Sequence, residues 1–254
     1  MSLNTPFTLA LFEYLLELTT TIHQGYNEHN WRLMTTPELK AVIFDMDGVL
    51  IDSEPVWQIA EHKVMSELGL NISIEDTVET TGLRIDHVVA FWYARFPWPN
   101  YDNAQTAQAI VEQVIKHILV EGTPMQGVIT ALKTCQEHGL KIGLATSSSS
   151  DIINAVLNKL AIGSYFQAIK SAEYLTYGKP HPEVYLNCAA ALNIDPIHCL
   201  AIEDSFNGLV AARAANMQTI AIPEPKLAGL AKWVIAHHQL ASLAQLPDFL
   251  AAQH

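Results

Sequence analysis

The sequence predicts an α/β fold: a doubly wound, Rossmann-like parallel sheet with a small all-helical cap inserted after the first strand. Three observations predict it. Short, unbroken apolar runs alternate with helical stretches from residue 40 onward. The alternation is interrupted once, over residues 53–121, by segments that read as helix alone. The residues able to do chemistry fall at the carboxyl ends of the apolar runs, where ligands bind in open α/β sheets.

Ala41-Val42-Ile43-Phe44 is the first run. A strand buried on both faces reads as continuous hydrophobicity rather than as alternation. Runs at 141–145, 199–202 and 218–222 repeat the pattern, the last ending at Pro223, and a weaker run lies at 233–236. Helical stretches at 127–138, 151–160, 182–192 and 206–215 separate them. Strand, helix, strand in repetition implies right-handed crossovers and a parallel sheet. The interrupting segment divides into helices at 54–68, 85–93 and 104–120, punctuated by Gly69, Pro97 and Pro99 and closed by Gly122 and Pro124. The expected division is therefore a core of 34–52 and 122–254 with a cap of 53–121. Residues 1–33 do not join the pattern, and two readings stay open for them: a start upstream of Met34 foreign to the fold, or an amphipathic helix that docks on the body or a partner.

Composition narrows the function. Half of the 254 residues are hydrophobic and 16% are charged, which favours a packed core over disorder. A net charge of −12 argues against a nucleic-acid partner, which would require a basic face. No apolar run reaches the roughly 20 residues of a membrane helix, and the stretch at 7–18, broken by Glu13 and Glu17, makes a poor signal peptide. Cys135, Cys188 and Cys199 lack metal-type spacing and are expected to be reduced and buried, as in a cytoplasmic protein.

Four segments carry the chemistry. Asp45 and Asp47 end the first strand two residues apart, on one face, and Gly48 permits a sharp turn there. Such close carboxylates repel unless a cation or a shared proton relieves them, and magnesium suits oxygen ligands of this kind. Capping of backbone amides is the plainer alternative. Thr146 and Ser147, at a strand end before a helix, can form an anion site or simply cap the helix. Lys179, stiffened by Pro180, can supply positive charge; His181 beside it reads as a surface residue. Glu203 and Asp204 end another apolar strand and can complete a metal site or cap the next helix.

Together, Asp45-Met46-Asp47-Gly48-Val49-Leu50, Thr146, Lys179 and Glu203-Asp204 resemble the four motifs of the haloacid dehalogenase superfamily, over about residues 40–225. Asp52-Ser53-Glu54-Pro55, Gly82-Leu83-Arg84-Ile85-Asp86, Phe91-Trp92-Tyr93-Ala94-Arg95 and Lys179-Pro180-His181-Pro182 resemble the sugar and sugar-alcohol phosphatases of its β-phosphoglucomutase-like branch. The resemblance implies a Mg2+-dependent phosphatase for a small phosphorylated metabolite, such as 2-deoxyglucose 6-phosphate or a hexitol phosphate, working as a monomer. By the same resemblance Asp45 is the nucleophile and Asp47 the acid–base. Mg2+ is held by Asp45, the Asp47 backbone carbonyl and Asp204, with Glu203 as a further ligand or support. Thr146, the Ser147 amide and Lys179 hold phosphate oxygens. Arg84 is the cap candidate for touching substrate, an ordinary surface arginine being the alternative. Three rivals remain. A sugar phosphomutase shares the core motifs, but carries a histidine where this chain has Trp57. A dehalogenase has no use for Asp47. A silent sugar-phosphate-binding domain would not need all four motifs.

Overall fold

In the computed structural model, which describes residues 37–253, the sheet has six parallel strands in the order β3-β2-β1-β4-β5-β6. These are β1 (Ala41–Phe44), β2 (Lys141–Thr146), β3 (Ala168–Ser171), β4 (Cys199–Glu203), β5 (Gln218–Ala221) and β6 (His238–Gln239). The chain winds outward from β1 to β3 on one side, then returns to place β4, β5 and β6 on the other. The switch point of this doubly wound order lies between β1 and β4. Phe44 pairs with Leu144 on one side and with Ile202 on the other. The carboxyl ends of β1, β2 and β4 are therefore level, which brings Asp45, Thr146 and Glu203 to one edge of the sheet.

Every residue of β1 and β4 is buried, as continuous apolar runs demand. The sheet is sandwiched by helices α4 (Val128–Glu137) and α5 (Ser150–Leu160), α6 (Glu183–Leu192) and α7 (Phe206–Ala214). Two apolar clusters lie on its two faces: one built on Val42, Phe44, Leu144 and Ile202, the other on Ile43, Ala145, Tyr185 and Ala201. Gly143 in β2 has a specific packing reason. A Cβ there would lie 2.5 Å from Cys188 Sγ and 3.1 Å from Leu192 Cδ1, so its absence lets α6 approach the sheet.

The insertion folds as α1 (Glu54–Glu67), a 3₁₀ turn (Glu75–Thr80), α2 (Ile85–Arg95) and α3 (Asn103–Glu121). Pro55 starts α1 in the first turn, where a missing N–H costs nothing, and Asp102 caps α3 by accepting from the Gln105 amide at 3.0 Å. Ala60, Val64, Met65, Val89, Trp92, Ile110 and Val114 pack it internally, in the same apolar cluster that lines one face of the sheet. Lys159 on α5 donates to the carbonyls of Leu119 and Val120 at 2.8 and 3.1 Å, holding the end of α3 to the core.

Three expectations are corrected. The run at 233–236 is not a strand but part of a 3₁₀ helix (Ala231–Ile235). Trp233 alone is buried, its Nε1 donating to the Leu227 carbonyl at 2.7 Å, while Val234 is 82% exposed, so the run lacks the two-sided burial of a central strand. β3 and the two-residue β6 were not expected; they are the sheet's edges, and their partly exposed residues break the apolar run. A short terminal helix, α8 (Leu246–Ala251), buries Leu246 and Leu250 where no helix was expected. The two readings of residues 1–33 lie outside the described residues. No helix among the described residues is long and apolar enough to cross a membrane, and the three cysteines are free and buried, as expected.

Gly143→Val is expected to destabilise the fold by about 1–3 kcal/mol through overpacking against α6. Urea unfolding measures it; an unshifted midpoint would mean that the α6–β2 contact is not tight.

Candidate active site

At the switch point β1 ends in Asp45, buried, its amide donating to the Ile202 carbonyl at 2.9 Å. The next residues turn back on themselves, with the Leu50 amide donating to the Met46 carbonyl at 2.8 Å. Gly48 sits in this turn at φ 70°, a left-handed conformation that favours glycine. A Cβ on it would also fall 2.1 Å from Asp204 Oδ2. Glycine here allows both the reversal and the close approach of the second acid loop.

Lys179 is fully committed. Its buried ammonium donates to Asp45 Oδ1 at 2.6 Å, to Glu203 Oε1 at 2.7 Å and to the Ala145 carbonyl at 3.0 Å. Glu203 accepts further from Tyr185 Oη at 2.6 Å and from the Ser205 amide and hydroxyl at 3.2 and 2.9 Å. Ser205 also caps α7, accepting from the Gly208 amide at 3.0 Å. The capping role that the sequence left open for Glu203-Asp204 thus belongs to Ser205. Among the described residues no donor reaches the Asp204 carboxylate, which leaves it available to a ligand.

Asp47 is held from three sides. Oδ1 accepts from Ser53 Oγ at 2.6 Å and Trp57 Nε1 at 2.9 Å; Oδ2 accepts from Ser148 Oγ at 2.6 Å. The two serine hydroxyls can donate to a carboxylate or accept from a carboxylic acid, so Asp47 can change protonation without losing position. At the end of β2, Thr146 Oγ1 accepts from the Ser148 amide at 3.0 Å. Ser147 and Ser149 each bury a hydroxyl oxygen that has no partner among the described residues. Buried polar atoms are rarely left unmatched; both residues line the pocket that also contains Asp45, Asp47, Thr146, Lys179 and Asp204. The Ser147 hydroxyl, just past the end of β2 in a pocket that holds a lysine, suits an oxygen of an anion.

A family model described as haloacid dehalogenase-like hydrolase matches residues 42–222, well over half of the chain. The chain belongs to the haloacid dehalogenase-like hydrolase family. It is 47% identical over 219 residues to hexitol phosphatase B of Escherichia coli strain K12, covering 84% of this chain and 97% of that protein. It is 30% identical over 185 residues to the fructose-1-phosphate phosphatase YqaB of the same strain, covering 70% and 94%. Among solved structures it matches β-phosphoglucomutase from Clostridium difficile with a TM-score of 0.73 at 25% identity, covering 85% of this chain and 96% of that one.

The acids of this haloacid dehalogenase-like site cannot all carry charge unaided. Burial, with Glu203 and Asp47 adding to it against the opposing Lys179, pushes Asp45 up to about 8. Burial, then Asp45 and Glu203, pushes Asp204 well above the usual carboxylate range. Burial alone would lower the Lys179 ammonium, but Asp45 and Glu203 outweigh it and hold it protonated. Asp45, Glu203 and Asp204 each offer an oxygen within 4.8 Å of the others, a donor set that suits a hard divalent cation. Glu203 belongs to this cluster by distance, yet its oxygens already accept four hydrogen bonds. Its hydrogen bonds describe it better as the anchor of Lys179 than as a primary ligand.

Arg84 is placed differently from the expectation. Its guanidinium pairs with Asp86 at 2.7 Å and donates to the Ala172 and Leu175 carbonyls at 3.0 and 2.5 Å. It ties the cap to the loop after β3 and does not line the pocket. The cap reaches the pocket instead through Glu54, Trp57, Gln58, Glu61, Thr77, Thr80 and Thr81. Of these Glu54 stood in the sequence only as part of the Asp52-Ser53-Glu54-Pro55 resemblance, and Trp57 drew attention for a different reason. Tyr185 was missed, and the contacts of Ser53 and Ser148 with Asp47 were not foreseen, because a hydroxyl in a helix or loop carries no spacing signal.

Glu61 is buried in α1, accepting from the Trp92 indole, with Thr80 Oγ1 at 2.9 and 3.0 Å from its two oxygens. Thr80 Oγ1 also lies 2.7 Å from the Thr77 carbonyl. One hydroxyl proton cannot serve three acceptors, and a protonated Glu61 donating to Thr80 resolves the count. Burial pushes the Glu61 carboxyl up to about 7. The native state thus holds this proton more tightly than the unfolded chain, so stability falls as pH rises from about 4.5 through about 7. Glu61→Gln should remove that part of the pH dependence. At pH 8 the variant is expected to gain up to roughly 3 kcal/mol on wild type, and little at pH 4. Urea titrations at the two pH values check this, and an equal offset at both would contradict it.

Proposed function

We propose that this hydrolase is a magnesium-dependent sugar phosphatase that passes the phosphoryl group through Asp45. The observation that carries the reading is the buried Asp45–Lys179–Glu203 triad, with Asp47 held beside it in one pocket. Lys179 takes Oδ1 of Asp45, which leaves Oδ2 to attack phosphorus in line. As the new bond forms, the bond from phosphorus to the sugar oxygen breaks, and Asp47 gives that oxygen its proton. Asp47 then takes a proton from water, the water oxygen bonds to phosphorus, and phosphate departs from Asp45. Thr146, the Ser147 amide and hydroxyl, and Lys179 hold the remaining phosphate oxygens while charge spreads over them. Asp45, the Asp47 backbone carbonyl and Asp204 would hold magnesium, whose charge offsets the carboxylates and the phosphate.

The phosphatases from Escherichia coli described above support a sugar or sugar-alcohol ester as substrate. The structural match to a β-phosphoglucomutase favours a mutase as the second reading. Trp57, whose indole N–H can only donate and is spent on Asp47, stands where the mutases carry a histidine and favours hydrolysis.

Asp45→Asn is expected to lower turnover of a sugar phosphate by roughly 10⁴-fold or more while the thermal transition survives. EDTA should stop phosphate release by the wild type, and added magnesium restore it. Turnover of the Asn variant near wild type would reject Asp45 as nucleophile. Asp47→Asn should slow both halves of the reaction by at least about 10²-fold. Acid quench with radiolabelled substrate detects the phosphoenzyme, and unchanged rates in this variant would remove the acid–base role. Adding a sugar bisphosphate separates the two readings, because only a mutase would then convert monophosphate isomers without net phosphate release.

A further inference from the structure

The two ends of the pocket differ in kind. Lys179 is its one cationic lining residue among the described residues, and it is already bound to Asp45 and Glu203. Five acids line the same space: Asp45, Asp47, Glu54, Glu61 and Asp204. Three belong to the reaction centre. The other two come from α1 and carry no part of the proposed chemistry.

The cap side is rich in acceptors. Glu54 Oε1 accepts from Thr81 Oγ1 at 2.7 Å and Gln58 Nε2 at 3.0 Å. No donor among the described residues reaches Glu54 Oε2 or the Gln58 amide oxygen. Glu61, its proton turned to Thr80, keeps a lone pair beyond the one that Trp92 uses. From the core side, Ser149 adds a buried hydroxyl without a partner, although it stands at the N-cap of α5, where such a hydroxyl ordinarily caps the helix. Acceptors without donors call for a ligand bearing O–H groups. Glu54, an acid with no cation beside it among the described residues, repels a ligand bearing a second anion.

We propose that Glu54, Gln58 and Glu61 of α1, with Thr80, Thr81 and Ser149, form a subsite for an uncharged polyhydroxyl leaving group, and that Glu54 excludes substrates bearing a second phosphate or a carboxylate. This rests on the phosphatase reading above and narrows its substrates to neutral monophosphate esters. The subsite recognises hydroxyls by accepting from them, so an ester without hydroxyls forfeits this part of the binding. It also favours the hydrolysis reading over the mutase one, since among the described residues no cation of the cap lines the pocket to receive the far phosphate of a sugar bisphosphate.

The test uses the full chain with magnesium and four esters: a hexitol 6-phosphate, the matching aldonic acid 6-phosphate, a sugar 1,6-bisphosphate and ethyl phosphate. The expected kcat/KM for the hexitol ester exceeds each of the others by at least about tenfold. Turnover of the bisphosphate or the acid within about threefold of the hexitol ester would overturn the subsite while leaving the phosphatase reading intact. Release of phosphate from none of the four would overturn both. Gln58→Lys, at a partly exposed position, places a cation on this wall. It should narrow the gap between bisphosphate and hexitol ester by about tenfold, with Glu54→Gln moving the same ratio in the same direction. A ratio unchanged in both variants, with their thermal transitions retained, sinks the proposal.

Discussion

The structure depends on one buried ammonium. Lys179 arrives from the loop after β3 and spends its three protons on Asp45 of β1, Glu203 of β4 and the Ala145 carbonyl of β2. A charge taken out of water at this depth is tolerated only with partners, and removing one partner from such a network typically costs about 3–5 kcal/mol. The lysine therefore makes the alignment of three strand ends an energetic necessity. A slip of one residue in β1 or β4 would turn every side chain to the opposite face and leave the ammonium unpaired. The residue proposed to attack phosphorus is fixed by the same contact that makes the sheet register unique.

The consequences spread outward through Glu203. Its carboxylate is anchored by Tyr185 on α6 and Ser205 at the start of α7, so helices from two crossovers are committed to holding an acid that itself holds the lysine. Space for this is made by absent atoms. A Cβ on Gly208 would lie 1.8 Å from Glu203 Oε1, as one on Gly48 would collide with Asp204. Two glycines thus let two acids of one loop take opposite roles. Glu203 is saturated with donors, whereas Asp204 is left with none among the described residues.

What could be read from the sequence follows from which forces act locally. Strands buried on both faces must be continuously apolar, so β1, β2, β4 and β5 were visible with ends correct to about a residue or two. β3 and β6 lie at the sheet edges, where a polar residue costs nothing, and left no such trace. The run at 233–236 misled because hydrophobicity records burial and not geometry: one tryptophan inserted from a 3₁₀ turn gives nearly the same letters as a strand. The acids and Lys179 were legible because strand-end position and charge coincide in them. Arg84 was not, since a guanidinium that serves two carbonyls 88 and 91 residues away looks the same as one that serves a ligand. Trp57 and Ser148 acquire meaning only when folding brings them to Asp47 from 10 and 101 residues away.

The strongly acidic character of the chain and an anionic substrate are reconciled at the level of protons. Burial already raises Asp45 and Asp204, so without a cation the pocket lowers its own charge by retaining protons. A divalent cation at these oxygens would take the place of those protons and add positive charge that they do not supply. In the proposed reaction this orders the components: a phosphate dianion meets a repulsive cluster if it comes first, and an attractive one once the cation is in place. The net charge of −12 then tends to keep loosely bound anions away from the surface and leaves the cation-loaded pocket as the place where a phosphate is drawn in. Selectivity for the phosphoryl group and dependence on the cation are, on this view, two expressions of the same crowded carboxylates.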